Sequence, residues 1–157
     1  MEENKIRIKR AEEDLYKINI DDDGTEIVFD LADISLPVRC DKAFREVESN
    51  KNRALSQIKV IENKYVNQNM NKKLESQKTS EMLKVYQDMF AKNRVIMDEF
   101  FGLKGAMQHL FGDSNYLDMY SDLFEQFISH FEKMQLNAEA IKERISKKYG
   151  TSDNVIK

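Results

Sequence analysis

The side chains with the most chemical potential in this chain are three consecutive aspartates, one cysteine and two histidines, and they stand far apart. Asp21-Asp22-Asp23 could offer oxygens to a calcium ion. A calcium loop, however, alternates its ligands and closes on a glutamate, whereas these acids are consecutive and lead into Gly24. They read as a solvated turn. Cys40 lies between Arg39 and Lys42 in what should be the first turn of a helix, a setting that lowers a thiol pKa. Nucleophilic catalysis also needs a base and an orienting group, and His109 and His130 are remote from Cys40 in sequence. A half-buried structural thiol is the expectation. As the sole cysteine it can form neither an internal disulfide nor a cysteine-based zinc cluster. His109, beside Leu110 and Phe111, and His130, beside Phe131, read as structural histidines, since neither belongs to an H-E-x-x-H pair. Adjacent carboxylates such as Asp98-Glu99 and Glu12-Glu13 diverge by about 100° on a helix and make no acid–base dyad. No glycine-rich phosphate loop or dinucleotide fingerprint occurs. The chain reads as a non-enzyme that needs no cofactor and no metal.

Composition points the same way. With 34% charged residues, one proline and five glycines in 157 residues, the sequence suits long solvated helices better than a loop-rich catalytic fold. Nine phenylalanines, eight methionines and no tryptophan give it adaptable apolar material. The net charge of −3 hides a segregation: residues 1–37 carry five basic and eleven acidic groups, residues 38–78 ten basic and five acidic. An acidic head beside a basic helix could pair within a chain or between copies. The basic residues from Arg39 to Lys78 are spread around and along about ten helical turns rather than gathered on one groove-width face, so no nucleic-acid partner is expected. The opening M-E-E-N-K-I-R-I-K-R has no apolar run of a signal peptide, and no stretch approaches the ~20 apolar residues of a membrane span. A reducing cytoplasm is the expected setting, with no membrane partner.

The elements follow from periodicity. Apolar residues alternate over Tyr16–Ile20 and Ile27–Leu31, with an acidic turn between them, and predict a β-hairpin. Tyr16, Ile18 and Ile20 should share a face with Ile27, Phe29 and Leu31; a lone hairpin is marginal, so that face must be covered. Asp33 to Pro37 punctuates the start of a first long helix, with Asp41 near its positive end. Cys40, Phe44, Val47, Lys51, Ala54, Ile58, Ile61 and Tyr65 form its stripe, interrupted at Lys51. The pattern lapses over Asn67–Asn71, where a bent connection is expected. A second helix is predicted from near Thr79, its stripe carrying Leu83, Tyr86, Phe90, Met97 and Phe101. Phe101-Gly102 and Phe111-Gly112 then bracket a mini-helix, because glycine enters a left-handed cap at little cost. A third long helix is predicted from about Tyr116 to Tyr149, with Leu117, Tyr120, Phe124, Phe127, Phe131, Met134, Ala138, Ile141 and Ile145 at three–four spacing. The expected fold is α+β, mainly α: a hairpin module over 1–37, a helical bundle over 38–150 and a disordered tail over 151–157. The aromatic content of the third helix suggests a homo-oligomer.

The order of parts resembles the tail assembly chaperones of long-tailed bacteriophages, the siphoviruses. The resemblance rests on the hairpin, the L-A-D-I-S-L-P-V junction, the helix start R-C-D-K-A-F-R-E-V-E and the segment M-D-E-F-F-G-L-K-G-A-M-Q-H-L-F-G-D-S-N. Asp98, Phe101, Gly102, Gly105, Ala106, Phe111, Gly112 and Asn115 match the family's shape, while Leu103-Lys104 stand where one acidic residue is usual. The resemblance implies a chaperone that coats the tape measure protein until tail tube subunits displace it. It implies action in the host cytoplasm and absence from the mature virion. Phe124, Phe127 and Phe131, or the corner of Phe100, Phe101 and Phe111, are the aromatic anchors expected to meet a partner. The competing class is a structural or scaffolding coiled-coil module without chaperone activity.

Overall fold

The computed structural model describes residues 4–134. Strands β1 (Leu15–Asn19) and β2 (Glu26–Asp30) form an antiparallel hairpin in which Tyr16 pairs with Phe29 and Ile18 with Ile27. Both strands start one residue earlier than the alternation suggested, and the apolar face is the expected one. Ile27 and Phe29 are buried, with Tyr16, Ile18, Ile20 and Leu31 packed around them. The acidic turn is closed from within: one Asp21 carboxylate oxygen accepts hydrogen bonds from the backbone N–H groups of Asp23 and Thr25.

Helix α1 runs over Leu36–Tyr65 and α2 over Lys72–Phe101. They pack antiparallel, as Asn50 bonds Asn93 near the middle and Tyr65 bonds Glu81 at the far end. Asp41 lies beyond the first turn of α1. The acid that organises this end is Asp33, which accepts from the Ser35 backbone and hydroxyl and from Arg39. Helix α2 begins well before Thr79, because the Asn71 side chain caps it by accepting from the Leu74 N–H at 2.9 Å. Its first turns are mostly exposed, so there was no apolar stripe to read, and Leu83 also faces outward.

Helices α3 (Ala106–Phe111) and α4 (Met119–Met134) complete the described chain. Helix α4 starts after Leu117, which is exposed; Ala138, Ile141, Ile145, the end expected near Tyr149 and the tail over 151–157 lie outside the described residues. The hairpin face is covered by the helices. Ile27 and Phe29 join Leu36, Val47, Phe90, Met97, Phe100, Met107, Met119 and Phe127 in one core, and α1 already begins inside the expected 1–37 module. The architecture is α+β and mainly helical. Among the described residues no helix is long and apolar enough to cross a membrane.

Candidate functional site

The bend between α2 and α4 is a packed corner held by Asp98. Gly102 caps α2 at φ 68°: its N–H reaches the Glu99 carbonyl while the Leu103 N–H reaches the Asp98 carbonyl, the paired closure of a Schellman motif. The Asp98 carboxylate then turns to the next helix, accepting from the N–H of Met107 at 2.8 Å and of Gly105 at 3.3 Å. One side chain thus ties the end of α2 to the start of α3. Gly105 and Gly112 also have positive φ. Sequence marked the glycines and Asp98 but not this bond, which depends on the chain folding back.

The aromatic anchors divide into two groups. Phe100, Phe101 and Phe127 are 5%, 2% and 5% exposed, so these three rings are core and present almost no surface to a partner. Phe127 meets Phe29, Phe44, Phe100, Phe101 and Phe131 with centroids 4.7–6.2 Å apart, mostly edge-on. They are interior because the hairpin and α1 close over them from distant parts of the sequence. Phe111, Phe124 and Phe131 are half-buried. Phe131 packs on Phe44 and Phe127. Phe111 lines an open hollow of about 580 Å³ with Leu110, Tyr116 and Leu123.

Phe124 lines a more enclosed groove where α1, α2 and the start of α4 meet. It stacks on Phe44 at 4.2 Å and shares the wall with Val47, Tyr86 and Met89. Leu55 and Leu117, 47% and 65% exposed, stand at its mouth, and Glu48, Lys51 and Asp118 supply charge of both signs. The volume is about 180 Å³, enough to take one or two apolar side chains. Two polar residues belong to the same wall. Asn93, 1% exposed, accepts from Asn50 at 2.9 Å, yet its own Nδ2 has no partner among the described residues, and neither has the Tyr120 hydroxyl. Burial pushes the Tyr120 phenol well above its ordinary pKa, with Asp98 adding to the effect and Arg94 opposing it. Asn93 was missed because it sits in a gap of the α2 stripe between Phe90 and Met97. A buried amide is the polar break in such a stripe that a sequence does show.

The cysteine and both histidines sit in structural settings. Cys40 is buried, and burial pushes its thiol up to about 12, the reverse of an activated nucleophile. His109 pairs with Asp21 of the hairpin turn at 3.0 Å. His130 meets the Tyr16 hydroxyl at 2.6 Å, so both histidines tie helices to the hairpin. Burial, and to a lesser degree Lys133, lowers the His130 pKa. A base with a depressed native pKa adds stability that is complete above its unfolded value of about 6.5 and is lost as pH falls through the native one. The denaturation midpoint should therefore drop between pH 7.5 and pH 5.5, and His130→Gln should flatten part of that drop. An identical pH dependence in the variant would remove His130 from the account. Among the described residues no group of three or more metal-binding side chains gathers.

No family model matches the chain, and neither a curated protein nor a solved structure matches it.

Proposed function

We propose that this chain is a tail assembly chaperone of the long-tailed bacteriophage type, which binds the tape measure protein and keeps it soluble until tail tube subunits assemble around it. The observation that carries this reading is the groove between α1, α2 and α4. Its wall of Val47, Tyr86, Met89 and Phe124, with Leu55 and Leu117 exposed at the mouth, suits a client helix recognised by apolar periodicity rather than by a fixed sequence. Mixed charge at the rim would set register and approach without demanding one partner sequence. A tape measure chain is long and helical, so many weakly bound copies along it gain avidity. Action in the host cytoplasm and absence from the mature virion belong to the same reading, as does self-association of the bound copies.

The test is co-expression with a tape measure protein. The wild-type chain should raise the soluble fraction of the client. Leu55→Asp with Leu117→Asp should return it to the level without chaperone, and both sites are exposed enough that the fold survives. A wild-type chain that leaves client solubility unchanged would put the scaffolding module in front.

A further inference from the structure

The segment before the hairpin carries a strand-like pattern whose two isoleucines stay outside the core. Lys5-Ile6-Arg7-Ile8-Lys9 alternates basic and β-branched apolar residues, the period of a strand, yet residues 4–11 lie in no strand and Ile6 and Ile8 are 92% and 83% exposed. Directly after it, residues 12–33 hold nine acidic residues and one basic residue. A strand-patterned basic arm therefore stands beside an acidic hairpin that, among the described residues, has no third strand on either edge, and on β2 only the Asp30 carbonyl is already engaged, by the Asp33 N–H.

The two edges are not equivalent. The ladder is fixed by the bonds from the Ile20 N–H to the Thr25 carbonyl and from the Leu31 N–H to the Asp14 carbonyl. By antiparallel alternation, the outward-pointing backbone groups are those of Leu15, Lys17 and Asn19 on β1 and of Glu26, Val28 and Asp30 on β2. The β1 edge carries a lysine, the β2 edge two acids. An arm set antiparallel against β2 with Arg7 opposite Val28 would place Lys9 opposite Glu26 as a charge pair and Lys5 near Asp30, whose carboxylate is already held by Arg10, all on the solvent face. Ile8 and Ile6 would then fall beside Ile27 and Phe29 and extend the apolar face. A slip of one residue would put the isoleucines in water and the basic side chains inside, so the register is determined.

The root of the arm decides which chain supplies it. Arg10 is held by Asp30 and Asp14, at the end of β2, so an arm lying along its own β2 would run parallel to it. Antiparallel pairing, the more stable ladder, requires the arm of another molecule. We propose that the arm of one copy, residues 5–9, adds as a third strand to the β2 edge of a second copy, joined by backbone bonds, the Lys9–Glu26 pair and two isoleucines. This contact is independent of the groove and of the client.

Sedimentation of the full chain across a wide concentration range reads the association. Ile6→Asp with Ile8→Asp should weaken it at least about tenfold, and both residues are too exposed for the change to unfold the protein. Lys9→Glu should weaken it as well, with Glu26→Lys in the same chain restoring it. Chains carrying Arg7→Cys mixed with chains carrying Val28→Cys should form a mixed disulfide, while chains carrying Lys17→Cys should not; buried Cys40 does not compete. Unchanged sedimentation of the Ile6/Ile8 variant would overturn the proposal. So would equal cross-linking at Lys17, or a doubly substituted Arg7→Cys, Val28→Cys chain that closes only on itself.

Discussion

Phe127→Ala should remove about 3–5 kcal/mol of folding stability, a large share of the ~5–15 kcal/mol that holds a typical domain together. The ring is 5% exposed and lies at the meeting of β2, α1, α2 and α4, with Phe29, Phe44, Phe100 and Phe101 around it. Truncation removes edge-on contacts from several elements at once, and no single neighbour can move into the space without leaving its own packing. Phe131→Ala, at a half-buried ring with fewer such neighbours, should cost clearly less. Urea denaturation of both variants checks this. A loss below about 1 kcal/mol at Phe127 would mean that the aromatic core is not packed as described. The same geometry disqualifies Phe127→Asp as a probe of partner binding, since an unpaired carboxylate there would unfold the chain before any partner was tested.

Gly112→Val should cost about 2–3 kcal/mol and lower the melting temperature by roughly 5–10 °C. Gly112 has φ 61° and ψ −143°, a region that residues with a Cβ scarcely enter. A Cβ built there meets nothing within 4 Å, so the cost is backbone strain rather than a clash, and Gly112→Ala should be nearly as damaging. Gly102 makes the internal control. At φ 68° and ψ 21° it is in the ordinary left-handed region, where asparagine is tolerated. Gly102→Asn should be mild and Gly112→Asn severe. Equal melting of these two asparagine variants would contradict the assignment of the corner.

The sequence made the hairpin face, the two glycine stops and most of the α1 stripe readable because each is local: a period of two, a period near 3.6, or a glycine after the last apolar residue. What it hid was non-local. Periodicity showed that Phe127 faces something, but whether that is solvent, a client or Phe44 of α1 depends on the tertiary fold. The start of α2 was obscured because its first turns face water, and Asn67, Asn69 and Asn71 all look like caps. Asp98 was visible as an acid beside Phe-Gly, while its bond to the Met107 N–H exists only once the corner has turned. The groove was hidden for the same reason, as three elements build it and its buried amide, Asn93, occupies a gap in an apolar stripe.

Site-specific photo-cross-linking to a co-expressed tape measure protein tests the central claim most directly. A benzophenone side chain at Leu55 or Leu117, at the mouth of the groove, should capture the client. The same probe at Val66, 71% exposed at the far end of α1, should not. Excess unlabelled wild-type chain should suppress the capture by competing for the client. Capture at Val66 equal to that at Leu55 and Leu117, or capture at none of the three while the client remains soluble, would contradict a client site in this groove.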